Sequence, residues 1–69
     1  SVYVLGNIGD MNVELGQLDE AVKYFEKAAA QSKSNGTRDA LAGEYLLKAA
    51  RVYIEQGNKD KAVLVLSRS

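Results

Sequence analysis

Leu15-Gly16-Gln17-Leu18-Asp19-Glu20-Ala21-Val22 and Gln56-Gly57-Asn58-Lys59-Asp60-Lys61-Ala62-Val63 are two versions of one design. Each sets a glycine between two stretches of helical periodicity and places an Ala-Val pair five and six residues beyond it. A recurrence of this kind marks stacked helical hairpins, because one hairpin cannot bury its own apolar face. The chain therefore reads as all-α, two antiparallel helix-turn-helix hairpins stacked on each other, and as a binding scaffold. What it binds is not written in such a framework, since recognition rests on surface side chains that vary over it.

Outward from the first glycine, Val4, Ile8, Met11 and Leu15 recur at helical spacing and predict a helix from about Val2 to Leu15 with those four on its packing stripe. Interior Gly6 and Gly9 each cost ~1 kcal/mol relative to alanine, so packing has to hold this helix. Gly16 suits the left-handed residue that closes a helix, and Asp19 and Glu20 put negative charge in the first turn of the next. That next helix is expected from about Leu18 to Lys33, with Ala21, Val22, Phe25, Ala28 and Ala29 on one face and Lys23, Glu26 and Lys27 in water. Ser34-Asn35-Gly36-Thr37 is the polar junction, with Asn-Gly fit to end a helix and Thr37 to cap another. A third helix is predicted from about Arg38 to Gln56 on the stripe Ala42, Tyr45, Leu46, Ala49, Ala50 and Tyr53, with Glu44 and Lys48 paired one turn apart. Gly57 ends it, and Lys59 to Ser67 forms a fourth whose Ala62-Val63-Leu64-Val65-Leu66 is apolar all round and wants neighbours on both sides.

Sixty-nine residues sit near the lower limit for an unaided core, so a single domain over 1–69 is all that fits, with repeat one at about 2–34 and repeat two at about 37–69. Nine basic and nine acidic residues cancel, and no field favours nucleic acid or an anionic surface. Without cysteine there are no disulfides or thiolate metal sites, and the compartment stays unspecified. No apolar run approaches the ~20 residues of a membrane span, and Ser1-Val2-Tyr3 does not begin a signal peptide. A start without methionine and an end inside a helical pattern fit a piece of a longer repeat protein.

The spacing of glycine, alanine and aromatic residues in both halves resembles the tetratricopeptide repeat (TPR) over nearly the whole chain. Leu5, Ile8, Gly9, Asn12, Gly16, Leu18, Ala21, Phe25 and Ala28 fall on that pattern in the first half, and Leu46, Ala49, Ala50, Tyr53, Gly57, Lys59, Ala62 and Leu66 in the second. The resemblance implies a right-handed solenoid fragment in which Gly9, Ala21, Ala50 and Ala62 let helices approach while Phe25 and Leu66 fill the gap between hairpins. Leu5 and Leu46 replace an aromatic, Asn12 replaces a tyrosine, and no proline closes the first repeat. The two turn glycines stand 41 residues apart, against a usual period of ~34, so the helices flanking Asn35-Gly36 should be longer and project at one edge. A run like Tyr45 to Ala49 is also similar to one in bacterial, membrane-anchored periplasmic TPR proteins.

Catalysis lacks its usual instruments. There is no histidine or cysteine, hence no common general base, thiol nucleophile or soft metal ligand. Asp10 and Glu14, one turn apart, read as solvated surface before they read as a cation site, and Gly6 and Gly9 are followed by no Gly-Lys-Ser/Thr. Tyr45 and Tyr53 lie on the packing stripe and make no stacking platform for single strands. No cofactor, metal or enzymatic activity is expected.

The resemblance instead implies a groove along the first helices of each hairpin that takes a peptide or protein segment. By position its side chains are Tyr3, Asn7, Asp10 and Glu14, with Glu44, Leu47, Lys48, Arg51 and Glu55. Gly6, Asp10 and Leu47 occupy places where a carboxylate clamp would need donors, so that mode is not expected. Arg51 could equally form an ion pair with Asp10 between repeats. The alternative is self-association as a homodimer through Val63, Leu64, Val65 and Leu66, because arrays normally finish on a polar capping helix and each exposed Leu or Val forgoes ~1.5–3 kcal/mol of burial. A swapped pair exchanging halves about Asn35-Gly36 is compatible with the same pattern.

Overall fold

The two turns are built alike, and they set the architecture. Gly16 and Gly57 adopt φ of 75° and 76°, the left-handed region that glycine enters without a Cβ clash. At the first, Gly16 N–H donates to the Val13 carbonyl (3.0 Å) and Gln17 N–H to that of Asn12 (2.8 Å). At the second, Gly57 donates to Ile54 (2.9 Å) and Asn58 to Tyr53 (2.8 Å). This paired closure satisfies carbonyls that the helix end orphans and turns the chain back on itself. Asn58 then caps the following helix, its side chain accepting from Lys61 N–H at 3.2 Å.

The structure is a computed structural model that describes residues 1–34 and 39–68. Four helices follow in order: α1 Val2–Glu14, α2 Leu18–Ser34, α3 Asp39–Glu55 and α4 Lys59–Leu66. Each packs on its neighbour in sequence, giving an all-α pair of helical hairpins in a slab of 32 × 25 × 13 Å. The helices fall within a residue or two of their expected bounds. At 17 residues each against 13 for α1, α2 and α3 carry the extra turns that the long period requires. The expected junction at Asn35-Gly36, and the Thr37 cap, lie outside the described residues.

The core forms where α2 meets its neighbours. Ala21, Val22, Phe25, Ala28 and Ala29 of α2 are all buried, as are Ala42, Tyr45, Leu46, Ala49 and Ala50 of α3, and Ala62 of α4. Phe25 is the largest fully buried side chain, 2 % exposed. Its ring lies so close over Gly9 that a Cβ built there would stand 2.6 Å from a ring carbon, and at Gly6 the same Cβ would stand 2.4 Å from the Tyr45 ring. Those two glycines accept a propensity cost so that α1 can seat an aromatic from each of α2 and α3.

Several expectations are corrected. The packing face of α1 is Val2, Gly6 and Gly9, with Leu5 and Val13 against the core, while Val4, Met11 and Leu15 point outward and Ile8 is half-buried. The stripe of large apolar residues predicts the core side, but the side that packs is the one whose glycines make room for Phe25 and Tyr45. In α4, Val65 is 1 % exposed and belongs to the core, so it cannot serve an interface. Leu66, expected to fill the gap between hairpins as Phe25 does, is exposed, along with Val63 and Leu64. Glu26 is not left in water: it accepts from the Tyr53 hydroxyl at 2.7 Å and pairs with Arg68 at 3.0 Å.

Truncation of the plug should be costly: Phe25→Ala is expected to lose ~3–5 kcal/mol, enough to unfold a domain of this size, read by chemical denaturation. The glycines should respond with opposite signs. Gly43, within α3, has only open space within 4 Å of where a Cβ would stand, so Gly43→Ala should stabilise by roughly 0.5–1 kcal/mol through helix propensity alone. Gly9→Ala should destabilise by about 1–3 kcal/mol, because the Phe25 ring has to move. Equal shifts in melting temperature for the two variants would contradict the close approach of α1 to α2.

Candidate functional site

α1 and α3 are brought side by side through Tyr45, whose ring rests on Gly6. Residues one turn further along each helix then face one another. Lys48, expected to pair with Glu44 on its own helix, reaches across to Asp10 instead, its Nζ donating to Oδ1 at 2.9 Å and Oδ2 at 3.2 Å. The same ammonium sits 5.6 Å from the centroid of the Phe25 ring, capping the plug from the solvent side. Arg51, the expected partner of Asp10, is one turn of α3 too far along. Among the described residues Arg51 makes no ion pair, and its guanidinium is left exposed.

Below that pair lies an open concavity of about 360 Å³ walled by Asp10, Lys48, Arg51 and Glu55 and floored by Val13, Phe25 and Val52. Four of the nine residues expected in the groove are thus gathered at one place. Tyr3, Asn7, Glu14, Glu44 and Leu47 do not line this concavity; all five are exposed on the same two helices. The apolar floor is absent from the sequence-based expectation. Its signal is the turn register, because Val13 and Val52 each stand a few residues before a closing glycine and flank charged positions on opposite helices.

Burial, and then the neighbouring Glu44 carboxylate, raise the Tyr45 hydroxyl above its ordinary range, with Lys48 opposing. The exposed Asp10–Lys48 pair itself contributes little, ~0–1 kcal/mol, and acts chiefly to fix register between the hairpins.

The family model described as tetratricopeptide repeat matches residues 2–69. The chain belongs to the tetratricopeptide-repeat family. Comparison with curated proteins and with solved structures returned no match. In TPR terms α1 and α3 are the A helices and α2 and α4 the B helices, so the concavity lies on the A-helix face. TPR units are in general protein-interaction modules rather than enzymes. No helix among the described residues is long and apolar enough to cross a membrane, and among them no group of three or more acidic side chains stands ready to hold a metal.

The opposite face carries a second hollow, about 450 Å³, between α2 and the α3–α4 turn. Hydrogen bonds from Gln56 to Asp19 and from Tyr53 to Glu26 cross it, and both join the two TPR hairpins. Burial first, and then the hydrogen bond to Glu26 and its charge, push the Tyr53 hydroxyl up from 10.0 to about 12, against the pull of Arg68. A raised tyrosine pKa favours the protonated fold, so this contribution is complete below pH ~10 and fades as pH climbs towards the folded value. Tyr53→Phe should cost ~0.5–1.5 kcal/mol at neutral pH and remove the highest step in a spectrophotometric tyrosinate titration. A step near pH 12 that survives the substitution would mean that another of the tyrosines is the one held protonated.

Proposed function

We propose that the protein is a scaffold that captures a peptide or protein segment along the A-helix face and performs no chemistry itself. The observation that carries this reading is the concavity between α1 and α3, where charged side chains of both signs stand over an apolar floor. Such a site suits an extended or helical segment that seats one apolar side chain on Val13 and Val52 and meets Arg51 and Glu55 at its edges, with Glu14 exposed on α1 beyond it. Tyr3 and Leu47, exposed on the same two helices, extend the apolar contact beyond the concavity. Membership of a family of interaction modules supports the same reading. Asp10 and Lys48 neutralise each other, so Arg51 is the cation left for a ligand carboxylate, and Glu55 and Glu14 are the anions left for a basic one.

Selection of peptides from a random library on the immobilised chain, followed by amide chemical-shift mapping of a selected peptide, tests the proposal. Perturbations should concentrate in α1 and α3, and Arg51→Ala or Glu55→Ala should weaken binding by about 5- to 30-fold, the equivalent of 1–2 kcal/mol. Lys27→Ala, on the far side of α2, should change nothing. Perturbations centred on α2 and α4, or binding indifferent to Arg51 and Glu55, would place recognition elsewhere.

A further inference from the structure

The hollow of about 450 Å³ on the face opposite the groove carries donors that the fold leaves unused. Asp19, Lys23 and Glu26, each about one helical turn from the next, form its α2 wall, and Asn58 and Lys61 line it from the start of α4. The carboxylates are already committed. Glu26 accepts from the Tyr53 hydroxyl on one oxygen and from Arg68 on the other. Asp19 accepts from Gln56 and stands in the first turn of α2, where the helix dipole offsets its charge. The donors are in surplus. Among the described residues Lys61 makes no ion pair, and Lys23 meets only Glu20 of its own helix, at 3.5 Å, an exposed contact of little energy. Asn58 turns its amide oxygen to the Lys61 N–H, which leaves its amide nitrogen a donor without an acceptor among the described residues.

Lys61 also stands in the first turn of α4, where unpaired N–H groups and the positive end of the dipole disfavour a cation that has no anion to meet. Asp60, the acid of the same turn, does not line the hollow. The base of the hollow is less polar: Val22 is buried, and the Lys61 ammonium lies 5.9 Å from the centroid of the half-buried Tyr53 ring. We infer that this hollow is a second binding site, for a phosphate monoester. Its phosphate oxygens meet Lys23, Lys61 and the Asn58 amide, and the carbon side of the ester rests on Val22 and the Tyr53 ring. Phosphate suits donors spread over two walls, because three oxygens on a tetrahedral centre accept several charge-assisted bonds at once, whereas a planar carboxylate offers two. The volume favours an ester over the bare ion, since it is several times what a phosphate group fills. Lys23 comes from the first hairpin and Asn58 and Lys61 from the second, so the donor set is assembled only when the two are packed together. The inference does not depend on peptide capture in the groove.

Amide chemical-shift titration of the chain with phenyl phosphate tests it, against inorganic phosphate and against sodium chloride at matched ionic strength. Phenyl phosphate should move the amides of Lys23, Asn58 and Lys61 and saturate, chloride should not, and inorganic phosphate should bind at least about fivefold more weakly for want of the floor contact. Lys23→Gln and Lys61→Gln should each weaken phenyl phosphate by about 5- to 30-fold. Lys59→Gln, exposed in the same turn as Lys61 but outside the hollow, should leave binding unchanged. A phosphotyrosine pentapeptide that binds more tightly than phenyl phosphate supports the site with a modified protein side chain as the source of the ester, and one that binds more weakly supports it with a small molecule as the source. Shifts that never saturate or spread over every lysine, a loss in Lys59→Gln equal to that in Lys61→Gln, or equal affinity for inorganic and phenyl phosphate would each overturn the inference.

Discussion

The Phe25 ring fits into the space that Gly9 leaves open on α1, and the placement of the other helices follows from that fit. It lets α1 and α2 approach closely enough for the ring to be buried almost completely, and it leaves the ring's far side for the second hairpin. There the Lys48 ammonium covers it, and from that position Lys48 reaches Asp10. The second aromatic fit, Tyr45 over Gly6, repeats the arrangement between hairpins and holds α3 against α1. The concavity on the A-helix face exists because these two rings are placed where α1 has no side chain.

Energetically the burden falls on apolar packing. A chain of this size has a small core, and half of the buried apolar residues among those described are alanine, which packs helices closely but buries little area apiece. The larger buried side chains are Phe25, Tyr45, Leu46, Val2, Val22, Val52 and Val65. The polar links between hairpins, Lys48 to Asp10, Tyr53 to Glu26 and Gln56 to Asp19, are exposed or half-buried and set alignment more than stability. They lie on both sides of the stack, so that neither face can hinge open without losing one.

Much of this is legible in the sequence because it rests on local chemistry. Helix ends follow from Gly16 and Gly57, whose positive φ closes both turns in the same way, and the α2 core face follows from Ala21, Val22, Phe25, Ala28 and Ala29. The orientation of α1 is not legible. Its large apolar residues, Val4, Met11 and Leu15, mark the outward face, and the inward one is marked by glycines that periodicity scores as empty. Partner choice fails for a related reason: Asp10 to Lys48 rather than to Arg51 depends on how far α3 slides along α1, and the Gly6–Tyr45 contact decides that. In the candidate groove the charged walls are foreseeable from family position, whereas the floor of Val13, Phe25 and Val52 emerges only when two hairpins are laid together.

Glycines in α1 seat aromatic rings from α2 and α3, and the groove on the A-helix face follows from that packing. Nuclear Overhauser spectroscopy of the folded chain addresses it most directly. Cross-peaks are expected from the Phe25 ring to the Gly9 α-protons and from the Tyr45 ring to those of Gly6, with the glycine resonances displaced by ring current. Cross-peaks from those rings to Val4 and Met11 instead, with none to either glycine, would mean that α1 packs through its other face and that the groove described above does not form.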